Sequence, residues 1–166
     1  MKIGIYLGRF QPLHINHEKI IKQMINDFGY DNSILIIGSA HTNDERNPYS
    51  LDDRIKMIKN SFPDIKNIFY LDDNPDDSKW LSNFIKLIKS FDETLRCRDV
   101  TIYAGNKEDV WFLDLSEESS SFNIRQFNRT ENDLSATKIR KALKDKDFEY
   151  VKKHINILNH SLIIGD

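Results

Sequence analysis

The chain has 166 residues, 39% hydrophobic and 30% charged, with six Gly and four Pro, enough for one buried core and too few for two ordinary domains. Lys and Arg number 24 against 26 Asp and Glu, a formal charge of −2, so no global basic field draws the chain to nucleic acid and any nucleotide must be bound locally. One cysteine, Cys97, rules out an intrachain disulfide and suits a reducing, cytoplasmic setting; Met1–Leu7 is too short for a signal-peptide core, and no stretch reaches the roughly 18 apolar residues of a membrane span.

In chain order, Ile3–Leu7 reads as a buried strand, and Ile20, Ile21, Met24, Ile25 and Phe28 recur on one face of a helix ending near Gly29. Ser33–Gly38 is a second apolar run, and a strand–helix–strand unit of this length predicts a right-handed crossover between parallel strands. Ser50 stands as the cap of a helix carrying Ile55, Met57, Ile58 and Phe62 and stopped by Pro63; Ile65–Leu71 is a third strand. Asp76-Asp77-Ser78 opens a longer helix with Trp80, Leu81, Phe84 and Ile88, and Val100–Ala104 is a fourth strand ending at Gly105. A short amphipathic piece, Asp109–Leu115, leads to Ser116–Ser121, a polar tract expected to be a solvated, even disordered, loop. Phe122–Phe127 alternates as a fifth strand, and helices near Ala136–Lys144 and Phe148–Leu158 close the chain. The expected architecture is α/β: a Rossmann-like, doubly wound, five-stranded parallel sheet with C-terminal helices, one domain over residues 1–166, binding its ligand at the carboxyl ends of the strands.

The most informative segment lies at such an end. Gly8-Arg9-Phe10-Gln11-Pro12-Leu13-His14-Ile15-Asn16-His17 passes from the first strand into a helix, whose first turn offers unpaired N–H groups and a positive dipole end to an anion. His14 and His17, three apart, reach one ligand from one helical face, and Arg9 adds a cation. A histidine pair also suits a metal, but no third ligand is locally evident. A second cradle appears at Leu134-Ser135-Ala136-Thr137-Lys138-Ile139-Arg140, where two hydroxyls and a guanidinium open another helix; alone, Ser135 would be an ordinary cap. Cys97 sits between Arg96 and Arg98, which would lower its pKa, yet no nucleophile signature surrounds it.

Together these motifs resemble the GRFQPxHxGH and I/L-S-x-T-x-I-R signatures of the archaeal-type nicotinamide mononucleotide (NMN) adenylyltransferases, a branch of the HxGH nucleotidyltransferases. The similarity runs along nearly the whole chain, through Gly38-Ser39-Ala40, Asn47-Pro48-Tyr49-Ser50 with Arg54, a Trp after an acidic loop, and Gly105-Asn106. It implies adenylyl transfer from ATP to NMN by direct attack, with Mg²⁺ accompanying ATP and no dedicated metal ligands in the protein. By resemblance His14, His17, Arg9 and Arg140 are catalytic. Gly8, Phe10, Asn16, Gly105, Asn106, Ser135 and Thr137 join them around ATP, and Gln11, Ser39, Asn47, Arg54, Asp72 and Trp80 hold NMN. The resemblance also implies a homo-oligomer.

Three points stay open in the sequence. Asn16 replaces the family's usual Gly, and either hydrogen-bonds the ligand, shifts the adenine or weakens binding. Trp80 is either a stacking partner for a cationic pyridinium or a core residue beside Leu81, Phe84 and Leu87, and periodicity cannot separate the two. Asp72-Asp73-Asn74-Pro75-Asp76-Asp77 reads as turn and helix-start chemistry or, by resemblance, as a loop touching the nicotinamide carboxamide. The competing functions are transfer to another phosphate acceptor (FMN, phosphopantetheine or a phosphoalcohol) and non-catalytic nucleotide sensing. His41 is expected at the rim of the site, and His154 and His160 outside it.

Overall fold

A strand sends alternate side chains to opposite faces, and this sequence loads both faces with apolar residues, as a parallel sheet covered on both sides requires. In the computed structural model, which describes residues 1–127 and 135–165, Leu134 of the second motif lies outside the described residues. Strands β1 (Ile3–Gly8), β2 (Ser33–Ile37), β3 (Asn67–Tyr70), β4 (Val100–Ala104) and β5 (Asn123–Gln126) form one parallel sheet in the order β3-β2-β1-β4-β5. Ile3, Ile5, Ile34, Ile36, Val100 and Ile102 pack on one face with α3 (Asp77–Phe91) and the 3₁₀ segment Lys107–Leu115. Tyr6, Leu35, Ile37 and Tyr103 pack on the other, under α1 (Ile15–Phe28), α2 (Leu51–Ser61), α4 (Ala136–Lys144), α5 (Phe148–His154) and α6 (His160–Ile164). This is the doubly wound α/β arrangement that the alternation of strands and helices predicts. The chain steps outward from β1 to β3, then crosses to β4 on the other side of β1, so the strand order reverses between β1 and β4 and a crevice opens at their carboxyl ends.

Local chemistry sets the helix starts. Ser50 Oγ accepts the Asp53 N–H at 3.1 Å to cap α2, and Asp76 accepts from the Ser78 and Lys79 N–H groups to cap α3. Two expectations are refined and one is corrected. The Ser116–Ser121 tract is the expected surface segment, but a built turn: Ser119 is fully buried, its hydroxyl donating to Leu113 O and accepting from Ser116 N–H, both at 3.0 Å, because short hydroxyl side chains satisfy the backbone of a tight turn. β5 buries none of its four residues, since it stands at the edge of the sheet, and Phe122 beside it does the packing. The last expected helix breaks after His154 into a 3₁₀ turn, Ile157–Asn159, followed by α6, where Asn156 caps the turn by accepting from Leu158 N–H.

Two contacts fix α1, the helix that carries the histidines. At Gly4 a Cβ would stand 2.7 Å from the Phe28 ring and 2.9 Å from Met24 Cγ, so the helix rests directly on β1 at a position open only to glycine. On its other side Glu18, 6% exposed, accepts from Asn156 Nδ2 at 3.1 Å, while its second oxygen is buried with no hydrogen-bond partner among the described residues. Nearby, fully buried Asn159 donates to Met57 O and Ser61 Oγ and accepts from Asn60, tying the C-terminal turn to α2.

Gly4→Ala is expected to destabilise the chain by about 1–3 kcal/mol, the usual cost of overpacking a filled interface, read from urea unfolding. Burial pushes the Glu18 carboxyl above the usual glutamate range, so the folded chain holds that proton more tightly than the unfolded chain and loses stability as pH rises through the raised pKa. Glu18→Gln keeps the acceptor for Asn156 and removes the charge. It should melt at higher temperature than the parent at pH 8, and the gain should shrink towards the ordinary glutamate pKa of about 4.3.

Candidate active site

The loop after β1 is shaped by packing. Phe10 adopts a left-handed backbone with φ of +52° and is 1% exposed, a conformation that a bulky residue holds only when its surroundings enforce it. Its ring stands edge-on to Tyr6 at 5.5 Å and to His17 at 5.0 Å. A Cβ on Gly8 would meet that ring at 2.8 Å, so Gly8 is the space into which Phe10 folds back.

His14 is the N-cap of α1 and His17 its third residue. The two rings stack with centroids 3.6 Å apart and planes 20° from parallel. His14 N–H donates to His17 Nδ1 at 3.1 Å and His17 N–H to His14 Nδ1 at 3.4 Å, a reciprocal box in which imidazoles take the place of the usual Ser and Glu. A nitrogen that accepts carries no proton, so each neutral ring holds its proton on Nε2, the donor-bearing side. Asn16, between them, has ordinary helical backbone that any residue adopts, and its side chain lines the cleft described below.

The second cradle meets the first directly. Ser135 caps α4, accepting from Lys138 N–H at 3.3 Å. Arg140, one turn later, donates from Nη1 to Gln11 O at 2.8 Å and from Nη2 to Thr137 Oγ1 at 3.3 Å. Opposite, Asn106 at the end of β4 accepts from the Glu108 and Asp109 N–H groups and caps the 3₁₀ segment.

These elements enclose a cleft of about 620 Å³ at the β1/β4 reversal. Gly8, Arg9, Phe10, Gln11, His14, Asn16 and His17 line one side, Gly105 and Asn106 another, and Ser135, Thr137 and Arg140 a third. Lys19 and Arg46 also line it and are absent from the sequence-based set; the available signal was the position of Arg46 immediately before Asn47-Pro48-Tyr49. Burial first, and then Arg9 and Arg46, hold the Arg140 pKa below the ordinary arginine value. Asp44 opposes the two neighbouring guanidiniums only in part, and a cationic lining of this kind suits an anion.

The residues assigned to NMN by resemblance divide differently, and only Gln11 lines this cleft. Arg54 is corrected: it is fully buried, and its five N–H groups donate to the carbonyls of Ser50, Arg9, Gly38, Ser39 and Ala40 at 2.9–3.2 Å, leaving no donor for a ligand. Trp80 takes the core alternative, 8% exposed among Phe84, Phe112 and Trp111, with the half-exposed Trp111 ring 4.9 Å away on the solvent side. Gln11 is 1% exposed and exchanges two hydrogen bonds with the backbone of Tyr49. Asn47, 5% exposed, donates from Nδ2 to Asp44, and its side-chain Oδ1 is buried without a partner among the described residues. Ser39, with φ of +47°, donates to Asp73 at 2.9 Å, and Asp72 pairs with His41 at 2.6 Å on an exposed rim. Cys97 is buried, and burial pushes its thiol up to about 11, so Arg96 and Arg98 do not activate it.

Known proteins match this chain in both sequence and shape. A nicotinamide-nucleotide adenylyltransferase of Methanocorpusculum labreanum is 28% identical over 161 residues, covering 93% of this chain and 88% of that protein. The enzyme of the same name from Methanolobus tindarius is 34% identical over 96 residues, 55% of this chain and 54% of its own length. In solved structures, NadR in complex with NR superposes with a TM-score of 0.65 at 26% identity; the match covers 95% of this chain but only 43% of NadR. With Gly8, the stacked histidines and Arg140 all inside a matched stretch running from residue 5 to residue 142, the chain belongs to the cytidylyltransferase-like family.

Proposed function

We propose that this chain transfers the adenylyl group of ATP to NMN, giving NAD and pyrophosphate. The observation that carries the reading is the union of two helix N-termini in one cleft, with Arg140 bonded to the carbonyl of Gln11 at 2.8 Å. One anion-binding terminus suits a single phosphate; two, with Arg9, Arg46 and Lys19 between them, suit a triphosphate. The names of the two archaeal relatives supply the acceptor.

The 5′-phosphate oxygen of NMN attacks the α-phosphorus of ATP in line, and the bond from that phosphorus to the bridging oxygen of pyrophosphate breaks. The attacking group is already an anion, so neither a strong base nor a covalent intermediate is needed, and catalysis consists of alignment and charge stabilisation. His14 and His17 present Nε2–H donors to the oxygens on which charge builds, Arg9 and Arg140 neutralise the triphosphate, and Ser135 and Thr137 hold phosphate oxygens. Asn16 offers its amide to the same nucleotide from the helix start. Mg²⁺ would accompany ATP as part of the substrate and would supply neutralisation of phosphate charge. No helix among the described residues is long and apolar enough to cross a membrane, and a cytoplasmic setting fits the lone, buried thiol.

Incubation of the chain with ATP, Mg²⁺ and NMN should yield NAD and pyrophosphate in equal amounts. Reaction only with a different phosphate acceptor would move the chain to another transferase activity, and ATP binding without product would make it a sensor. His17→Asn retains an acceptor where Nδ1 caps the helix and removes Nε2; turnover should fall about a hundredfold with ATP affinity little changed, and unaltered turnover would take His17 out of the chemistry. Arg140→Lys cannot reach both Gln11 O and Thr137 Oγ1, so kcat/KM should drop by about tenfold or more; equal kinetics would refute the forked contact.

A further inference from the structure

We infer that Gln11 is a positioning residue for this site: its side-chain amide splices the loop after β1 to segment 44–50 and thereby fixes Arg46 relative to Arg9 and Arg140. The inference rests on reading the cleft as a triphosphate site.

Gln11 Nε2 donates to Tyr49 O at 3.0 Å, and Gln11 Oε1 accepts from Tyr49 N–H at 2.9 Å. A primary amide here imitates one residue pair of an antiparallel ladder, exchanging one donor and one acceptor with a backbone that belongs to no strand. Glutamate has no donor for the carbonyl, and asparagine is one methylene short. Within the segment, Asp44 Oδ1 accepts from Arg46 N–H, Asn47 N–H and Asn47 Nδ2, each at 3.0 Å, which folds residues 44–47 into a turn. On that turn stands Arg46, exposed and lining the cleft. Tyr49 carries the restraint further, its hydroxyl donating to Ile163 O in α6 at 3.1 Å.

The main chain of the same residue serves the other cradle, since Gln11 O accepts from Arg140. Gln11 thus joins the loop that carries Arg9 to the segment bearing Arg46 through its side chain and to Arg140 through its carbonyl. Arg9 and Arg46 act on Arg140 as like charges while Asp44 opposes them, so the place of the segment that bears Arg46 sets how much positive charge an anion in the cleft meets. At 1% exposure, with the amide engaged on both ends, Gln11 acts on the nucleotide through Arg46.

A double-mutant cycle on ATP binding, measured calorimetrically without acceptor, tests this. Gln11→Met, similar in length but lacking both bonds, should weaken ATP binding about tenfold in the parent and less than about twofold in an Arg46→Ala background. The ratio of kcat/KM for NMN over nicotinic acid mononucleotide should stay constant, because the side chain does not read the pyridine substituent. Equal losses in both backgrounds, no loss in the parent, or a shifted ratio would overturn the inference. Gln11→Glu, which keeps the bond from Tyr49 N–H, provides the same cycle with a smaller loss should the Met variant fail to fold. Failure of the parent to bind ATP counts against the proposed function, whereas binding with additive losses counts against Gln11 alone.

Discussion

A buried guanidinium without a carboxylate holds the site together. Arg54 projects from the first turn of α2 and donates every one of its N–H groups to a main-chain carbonyl, one in its own helix start, one in the loop after β1 and three in the loop after β2. Ser39 O also accepts from Thr42 N–H, but the carbonyls of Arg9, Gly38 and Ala40 rely on this fork, and an unmet buried carbonyl costs about 1–3 kcal/mol. The fork satisfies them and so defines the path of both loops. Burial, and secondarily Arg9, depress its pKa, yet a guanidinium ringed by carbonyl dipoles stays charged, placing a positive charge beneath the phosphate loop.

On that foundation the cleft is assembled by backbone-directed side chains. Gln11 pairs with Tyr49, the histidines cap one another's N–H groups, Ser135 caps α4, and Arg140 closes on Gln11 O. In each of these contacts a polar side chain, or in the last the main-chain carbonyl of Gln11, ties together backbone that borders the cleft. The stacked imidazoles are the clearest case: because Nδ1 receives a backbone proton, the tautomer that carries a donor on Nε2 is set by the same contact that begins the helix.

The two sides of the site were unequally legible. Gly8–His17 and Ser135–Arg140 are contiguous motifs that open helices, and a helix start presents N–H groups whatever surrounds it, so the proposal that they cradle anions can be made from local sequence. Residues assigned to NMN come from scattered positions where only exposure separates a ligand contact from a packing contact. Periodicity alone does not tell whether Trp80 packs or stacks on a ligand, nor what Arg54 bonds to, and it is the fold that places both in buried surroundings. Arg46 escaped notice for the opposite reason, since an exposed arginine in a loop carries no periodicity and earns meaning only from Arg9 and Arg140 across the cleft.

The sequence alone determined the alternation of strands and helices, the caps at Ser50, Asp76 and Ser135, and the two phosphate cradles, because periodicity and capping act over a few residues. The surface position of the serine tract and the fifth strand were legible as well; the break of the last helix after His154 was not, because it goes with the Asn156 cap on the following 3₁₀ turn. Only the tertiary structure decided that α3 crosses to the far face and opens the crevice between β1 and β4, that Gln11 reaches Tyr49, and that Arg140 bonds to Gln11 across 129 positions of chain. Those contacts depend on distances between segments remote in sequence, and such distances are fixed by packing two faces of one sheet.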